Sequence, residues 1–256
     1  MIHSHAIVDP SAEIADNVSI GPFSIIGPDV QIDSGTVIES HVVIKGPTKI
    51  GKDNHIFQFA SIGEQPQDLK YRGEPTRLEI GDRNTIREYA NLNRGTVDDE
   101  GITSIGNDNL LMVSAHVAHD CRLGNNIILA NAVALAGHVH IDDHAILGGY
   151  STVHQFTRIG AHSFSGFATA IDRDVLPYFT IAGNRARAFG INKEGLKRRG
   201  FTAEAIRALQ ETFKILVKSK CSHKEAIAKA SELAKDHAEV KQVMDFLAAS
   251  ERGWVR

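Results

Sequence analysis

The sequence has few cysteines, few aromatic residues and no long apolar run. Its 256 residues include two cysteines, Cys121 and Cys221, which excludes a small disulfide-held fold and favours a reducing compartment, the cytoplasm. No apolar stretch approaches the roughly 20 residues that span a bilayer, so stable membrane insertion is not expected. The formal net charge of -3 provides no general basic field for nucleic acid. Any anion site must therefore be local.

What the sequence has in abundance is a six-residue repeat of aliphatic residues. The repeat keeps one register from Val8 to Leu92 and another, displaced by one residue, from Ile105 to Ile171. This period matches neither a helix nor one continuous strand, but it suits short strands joined by tight corners. Three such strands would form a triangular coil whose aliphatic side chains point inward and stack on the next coil. Glycine often follows the aliphatic residue, and we expect it to occupy corners that need a positive φ.

Two polar segments interrupt the repeat, at about residues 64–79 and 93–104. The first contains two prolines and many charged residues, which cannot line the inside of a coil. Both segments are therefore predicted to protrude as loops. Loops on a rigid scaffold often carry binding residues.

The C-terminal part lacks the repeat and has helical signals instead. Thr202 can cap a helix that runs to about Lys218, and Ser222 with Glu225 forms a capping box for a second helix. A third helix is predicted from Glu239 to Ser250. The sequence thus predicts a β-helix domain over residues 1–184 and a helical domain over residues 185–256.

Seven of the 13 histidines cluster between His116 and His162, and the segment HVAHDC contains His116, His119 and Asp120. Positions three apart face opposite sides of an extended strand, so His116 and His119 are poorly placed to share a metal. An imidazole that a carboxylate orients can act as a general base. One 18-residue coil beyond His119 lies Gly137, whose N–H could stabilise an oxyanion, and one further coil lies Gln155. Isolated histidines on a solenoid surface are more often only solvated, so the residues alone leave both interpretations open.

The repeat resembles that of the hexapeptide-repeat acyltransferases, whose coils wind left-handed. The segments SIGEQPQDLKYRGEPTRLEIGDRN, RGTV, NLLM, HVAHDC, LAGHV, VHQF, IGAHS and GINKEGLKRRGF together resemble the UDP-N-acetylglucosamine O-acyltransferases, which begin lipid A biosynthesis. The match extends from the first repeats to the C-terminus. It implies a mainly β chain, a left-handed parallel β-helix of hexapeptide repeats with a C-terminal α-helical region, assembled as a homotrimer.

The same resemblance implies an activity and roles for single residues. A 3-hydroxyacyl group would pass from acyl carrier protein to the 3-hydroxyl of UDP-N-acetylglucosamine, with His119 as general base, Asp120 orienting it and the Gly137 amide stabilising the oxyanion. No metal and no cofactor beyond the donor's phosphopantetheine thioester are implied. The implied substrate-binding residues are Asp68, Lys70, His116, His138, His154, Gln155, Asn192, Glu194, Arg198 and Arg199. Basic residues that could dock the acidic carrier protein are Arg158, Arg173, Arg187, Lys197, Arg198 and Arg199.

Two positions depart from the family pattern. Asn93 stands where the family usually has histidine, which would alter a substrate contact made there. Phe167 stands where members that use long acyl chains have a small residue, which predicts a donor of medium chain length.

Three alternatives remain at this stage. A zinc-dependent γ-type carbonic anhydrase uses the same prism but needs three convergent imidazoles and an open metal position. A non-catalytic scaffold would have no use for the QDLKY loop or for HVAHDC. An acyltransferase of the same family could use a different nucleotide-sugar acceptor, such as one with an amine.

Overall fold

The computed structural model describes residues 1–256 as one long prism of short strands that ends in helices. In chain order, the strands are β1 Ile7–Val8, β2 Glu13–Ile14, β3 Ser19–Ile20, β4 Ile25–Ile26, β5 Val30–Ile32, β6 Val37–Ile38, β7 Val43–Ile44, β8 Thr48–Ile50, β9 His55–Ile56, β10 Ser61–Glu64, β11 Arg77–Ile80, β12 Thr85–Ile86, β13 Asn91–Asn93, β14 Ile102–Ile105, β15 Leu110–Leu111, β16 His116–Val117, β17 Arg122–Leu123, β18 Ile128–Leu129, β19 Ala134–Leu135, β20 His140–Ile141, β21 Ile146–Leu147, β22 Thr152–Val153, β23 Arg158–Ile159, β24 Phe164–Ser165, β25 Ala170–Ile171, β26 Phe179–Ala182 and β27 Arg187–Ile191. The helices are α1 Lys193–Arg198, α2 Ala203–Phe213, α3 His223–Leu233 and α4 Ala238–Ala248, with a π-helical turn at Lys214–Lys218. The predicted β-helix with a C-terminal helical region is thereby confirmed.

Every third strand belongs to the same parallel sheet. Sheet 1 contains β1 and every third strand to β25, sheet 2 contains β2 and every third strand to β23, and sheet 3 contains β3 and every third strand to β24, followed by β26 and the antiparallel β27. The chain therefore turns three corners in each coil. We call the turn from sheet 1 to sheet 2 the first corner, that from sheet 2 to sheet 3 the second corner, and that from sheet 3 to sheet 1 the third corner.

The interior of the prism is a stack of aliphatic side chains, as the repeat predicted. Ile20, Ile56 and Leu111 are each at most 1% exposed, and the same inward position is apolar through most coils.

A buried ladder of amides at the second corner was not predicted. The Oδ1 atom of Asn54 accepts hydrogen bonds from the backbone and side chain of Asn84, at 2.9 and 3.0 Å. These bonds satisfy polar groups that would otherwise be costly to bury.

The expectation that glycine supplies the positive φ angles at the corners is wrong for most coils. Gly63 has a positive φ, at 74°, but most corner residues with a positive φ are not glycine, such as Asp120, His138 and Phe156, at 59° to 62°. The glycine that follows the aliphatic residue lies where two coils approach closely. A Cβ on Gly106 would lie 2.5 Å from the carbonyl oxygen of Gly124, a distance that real Cβ atoms do not tolerate. Close coil packing, rather than corner geometry, therefore requires glycine at this position.

Both predicted loops leave the prism at the first corner. They are shorter than expected, because β10 extends to Glu64, β11 begins at Arg77 and β14 begins at Ile102. The protruding segments are residues 65–76 and 94–101. Strand β13 pairs with β10 on one side and β16 on the other, so the two loops lie in successive coils directly before the coil of His119.

The C-terminal helices follow the predicted caps. The side chain of Thr202 accepts the N–H of Ala205, and Ser222 with Glu225 forms the predicted capping box. The last helix ends at Ala248, two residues earlier than predicted. The domain boundary at residue 184 stays a prediction, since the hairpin of β26 and β27 extends the sheet to Ile191. No helix combines the length and the apolar character needed to cross a membrane.

The outer faces of the three sheets differ in polarity. The outward residues of sheet 3 include Leu110, Ile128, Ile146 and Phe164. Those of sheet 2 are mostly charged or polar, from Glu13 and Lys49 to Arg122, His140 and Arg158. The third corner carries aromatic side chains that are 47% to 83% exposed, namely Phe23, Phe59, Tyr89, Tyr150 and Phe167. A single chain therefore exposes apolar side chains at the third corner and on sheet 3, and charged or polar side chains on sheet 2.

Candidate active site

The first corner brings together the residues that the 18-residue coil predicted. His119, Gly137 and Gln155 occupy equivalent corner positions in three successive coils, because β16, β19 and β22 pair in register. The loop at residues 65–76 covers the same corner. Together these elements form an open groove of about 860 Å³. Its lining includes Asp68, Lys70, Asp98, Asp99, His119, His138, His140, Gln155, Phe156 and Arg158.

His119 is held by a buried carboxylate. Its Nδ1 lies 2.8 Å from Oδ2 of Asp120, a side chain with no exposed surface. Asp120 also accepts the N–H of Thr96 at 2.8 Å and the Thr96 hydroxyl at 2.6 Å. Burial alone would raise the pKa of Asp120, but the hydrogen bonds from His119 and Thr96 more than offset it and lower the pKa. The carboxylate therefore stays ionised and fixes the ring with a proton on Nδ1, which leaves Nε2 free to accept a proton.

Gly137 lies against the His119 ring. A Cβ at this glycine would lie 2.5 Å from Cε1 of His119 and 2.7 Å from Nε2. Its N–H donates to no group of the chain, whereas its carbonyl accepts the N–H of Phe156. A free N–H beside a free imidazole nitrogen can hydrogen-bond an oxygen that becomes negative as the base removes a proton.

His138 lies on the other side of the groove floor. Its ring stacks on Phe156 with centroids 4.4 Å apart and meets His119 edge-on at 5.2 Å. Its Nδ1 lies 3.5 Å from Oδ2 of Asp99, and its Nε2 lies 3.7 Å from Oδ2 of Asp120. The ring is 14% exposed, so one edge of it faces the groove.

The side chains of His119, Asp120 and His138 place potential metal-ligand atoms within 4.8 Å of one another. The set contains two imidazoles, whereas the carbonic anhydrase alternative needs three. Both Asp120 oxygens already accept hydrogen bonds from Thr96, and one of them also contacts His119. These contacts suit an oriented base better than an open zinc position.

Other predicted residues lie outside the groove. His116 points outward from sheet 1, where its Nδ1 lies 2.8 Å from Oδ1 of Asn91, and burial lowers its pKa. His154 is exposed and lies 3.3 Å from a guanidinium nitrogen of Arg252. Asn93 is fully buried and donates to the carbonyl of Gln65 at 3.3 Å, so it supports the base of the loop rather than facing solvent.

The remaining predicted residues lie on the other two corners of the same chain. Asn192 caps α1 through the N–H of Gly195 and donates to the carbonyl of His162 at the second corner. Arg199 donates to the carbonyl of His144 at that corner, and burial lowers its pKa. Glu194 and Arg198 are exposed on the same short helix, which was not expected from the sequence. Phe167 projects from the third corner and is 83% exposed.

Comparisons with known proteins agree with this architecture. Residues 11–46 match the bacterial transferase hexapeptide family, and residues 174–255 match the family described as UDP N-acetylglucosamine O-acyltransferase, domain 2. An acyl-[acyl-carrier-protein]–UDP-N-acetylglucosamine O-acyltransferase of Herminiimonas arsenicoxydans is 52% identical over 100% of this chain and 99% of its own length. The chain belongs to the UDP-N-acetylglucosamine O-acyltransferase family.

Solved structures of this acyltransferase family share the whole fold. The enzyme of Francisella novicida superposes with a TM-score of 0.98 at 46% identity, over 100% of this chain and 94% of that one. The enzyme of Acinetobacter baumannii gives a TM-score of 0.97 at 52% identity, over 100% and 99%. The predicted left-handed β-helix is thereby confirmed.

Two residues of this candidate site were not predicted from the sequence. Thr96 hydrogen-bonds Asp120 from 24 residues away, and Asp99 contacts His138 from 39 residues away. Both lie in the second loop, which has no repeat from which a position could be counted. The one available signal was that RGTV and the acidic residues after it interrupt the repeat just before HVAHDC.

Proposed function

We propose that this acyltransferase transfers a 3-hydroxyacyl group from acyl carrier protein to the 3-hydroxyl of UDP-N-acetylglucosamine, the first step of lipid A biosynthesis. The observation that carries the proposal is the contact of His119 with Asp120 on one side and with Gly137 on the other. The full-length relative from Herminiimonas arsenicoxydans is named for this reaction. Base, orienting carboxylate and oxyanion donor are the groups that acyl transfer to a hydroxyl requires.

The reaction proceeds by direct attack of the sugar. Nε2 of His119 takes the proton of the 3-hydroxyl while the sugar oxygen bonds to the thioester carbonyl carbon, and the carbonyl oxygen becomes an oxyanion beside the Gly137 N–H. The carbon–sulfur bond then breaks, and the leaving phosphopantetheine thiolate takes the proton from His119. No residue is acylated on the way. Cys121 fits this scheme, because it is fully buried and burial raises the pKa of its thiol to about 12.

The active unit is a homotrimer whose threefold axis runs along the third corner. Exposed aromatic residues on that corner and apolar side chains on sheet 3 need a partner surface, whereas charged sheet 2 does not. A closed ring of three chains places sheet 3 of each chain against sheet 1 of the next. The second corner of one chain then lies beside the first corner of its neighbour.

This arrangement explains why the predicted substrate residues are divided between corners. Asn192, Glu194, Arg198 and Arg199 of one chain would face His119 and Gln155 of the next, with Asp68 and Lys70 closing the groove. The guanidiniums suit a diphosphate because each donates several hydrogen bonds in one plane. Phe167 would reach the groove only across the subunit interface, where it would limit the donor to a medium chain length.

An acidic carrier protein needs a basic surface on an enzyme of net negative charge. Arg173, Arg185, Arg187 and Arg256 line one hollow near the C-terminus, and a single acidic residue, Asp172, pairs with Arg185 at 3.3 Å. We assign carrier docking to this hollow rather than to Arg158, which packs on Phe246 at 4.6 Å and donates to the carbonyl of Ala249. A carrier-linked donor also implies that the enzyme acts in the cytoplasm.

The test is acyl transfer to radiolabelled UDP-N-acetylglucosamine from 3-hydroxyacyl carrier proteins of several chain lengths. Wild type should form product, and His119→Ala should lose about 10² to 10⁴ in kcat, the usual contribution of a positioned base. His3→Ala, which removes an exposed imidazole at the far end of the prism, should leave the rate unchanged. Full activity of a folded His119→Ala trimer would reject the assigned base. No product with any donor, together with stoichiometric zinc after dialysis, would favour the carbonic anhydrase alternative.

A further inference from the structure

The second loop carries three successive acidic residues above the groove, Asp98, Asp99 and Glu100. Each has a cationic or imidazole partner. Asp98 lies 3.4 Å from Nζ of Lys70, and Glu100 lies 3.1 Å from a guanidinium nitrogen of Arg122. Asp99 contacts the same Arg122 at 3.1 Å through Oδ1 and His138 at 3.5 Å through Oδ2. Of these three acidic residues, only Asp99 therefore contacts a side chain on the floor of the groove.

The contacts form a continuous chain from the outer face of sheet 2 to the base. Arg122 contacts Asp99, Asp99 contacts His138, His138 contacts Asp120, and Asp120 contacts His119. Exposure decreases from 34% at Arg122 and 29% at Asp99 to 14% at His138 and none at Asp120, and is 16% at His119. Each carboxylate lies between two basic groups, so moving one member disturbs both neighbours.

The position of the His138 ring follows from these contacts. One ring nitrogen faces Asp99 and the other faces Asp120, while the ring faces contact Phe156 and the edge of His119. The aromatic contacts fix the plane of the ring, but a half-turn about the Cβ–Cγ bond would keep that plane and point ring carbons at the two carboxylates. The carboxylates favour the observed orientation, because a protonated ring nitrogen that faces a carboxylate can donate to it.

We propose that Asp99 is a positioning residue of the active site, which holds a proton on Nδ1 of His138 and so orients that ring beside Gly137 and His119. The proposal rests on the proposed function, because it assigns Asp99 to the same groove. Arg122 contacts the other oxygen of Asp99 at 3.1 Å and so keeps the carboxylate aimed at the ring. A second loop that only covered the groove would not need this single bridging carboxylate.

The chain offers a matched control for the test. Asp99→Asn and Glu100→Gln each remove one negative charge from the same loop and one ion pair with the same Arg122, but of the two residues only Asp99 contacts His138. We expect Asp99→Asn to lower kcat/KM for acyl transfer about tenfold, the scale of one hydrogen bond to a charged group. Glu100→Gln should change it less than about twofold. Thermal unfolding of both variants checks that the fold is kept.

Two further readouts separate positioning from loop anchoring. In histidine labelled with ¹⁵N, the Nδ1 signal of His138, assigned with a His138→Gln variant, should move in Asp99→Asn and not in Glu100→Gln. In the His138→Gln background, adding Asp99→Asn should cost no further activity. Equal losses in the two loop variants, an unmoved His138 signal, or an additive double variant would each overturn the proposal. If wild type transferred no acyl group, the proposed function would fail, and the ¹⁵N signal would still decide whether Asp99 holds His138.

Discussion

Replacing Gly137 with alanine adds one methyl group against the ring of His119, the proposed base. The new Cβ would lie 2.5 Å from Cε1 of His119 and 2.7 Å from Nε2, where ordinary contacts begin at about 3.4 Å. The backbone itself accepts a side chain, since Gly137 has no positive φ and the equivalent corner positions carry His119 and Gln155. The ring must therefore move by about 1 Å, and a displacement of that size typically costs about 10²-fold in rate.

The assay compares kcat for acyl transfer in Gly137→Ala and Gly190→Ala, with thermal unfolding of both. Gly190 also lacks a positive φ, and a Cβ there would meet nothing within 4 Å, so its variant should keep wild-type activity. Gly137→Ala should lose about 10²-fold in kcat and unfold within a few degrees of wild type. Wild-type kcat in Gly137→Ala would refute the argument that His119 needs its present position over the glycine.

Three further predictions test other parts of the site. Thr96→Val removes the hydroxyl that donates to Asp120 and should cost about 1.5–3 kcal/mol in urea unfolding, with a lower kcat at neutral pH; an unchanged midpoint would show that the hydroxyl is dispensable. Burial lowers the pKa of His162 to about 4, so its contribution to stability is present above pH 6.5 and is lost as the pH falls toward 4. His162→Phe should flatten the melting temperature between pH 7 and 5, and a curve parallel to that of wild type would count against this. Phe167→Gly should shift the preferred donor toward longer acyl chains, and an unchanged chain-length profile would remove Phe167 as the limit.

The sequence predicted the prism because its signal is periodic. A six-residue spacing places every aliphatic side chain, and adding 18 residues to His119 finds Gly137 and Gln155 without any structure. The caps at Thr202 and Ser222 were equally local and equally recoverable. Positions that follow from a repeat or from three or four neighbouring residues could thus be predicted.

Contacts made by segments outside the repeat could not be predicted in this way. Thr96 and Asp99 approach the corner from a loop whose path depends on tertiary packing rather than on spacing. The ladder that begins at Asn54 was missed for a related reason, since a buried amide is stable only because the next coil supplies its partner. The short helix after Asn192 was not predicted, because six residues carry too little periodicity to identify a helix.

The pairing of the sheet 1 strands next to the groove also determines which insertions and deletions the fold can tolerate. Ser61 pairs with Asn91, Asn91 with His116, and His116 with Ala134, at separations of 30, 25 and 18 residues. The strands stay aligned across the two longer intervals because the extra residues leave and re-enter the prism at one corner. A one-residue deletion between His119 and Gly137 has no such outlet, and it would turn inward-facing side chains outward in every later coil. Such an enzyme can therefore gain residues at a corner, or gain or lose a whole coil, and keep the residues of its active site aligned.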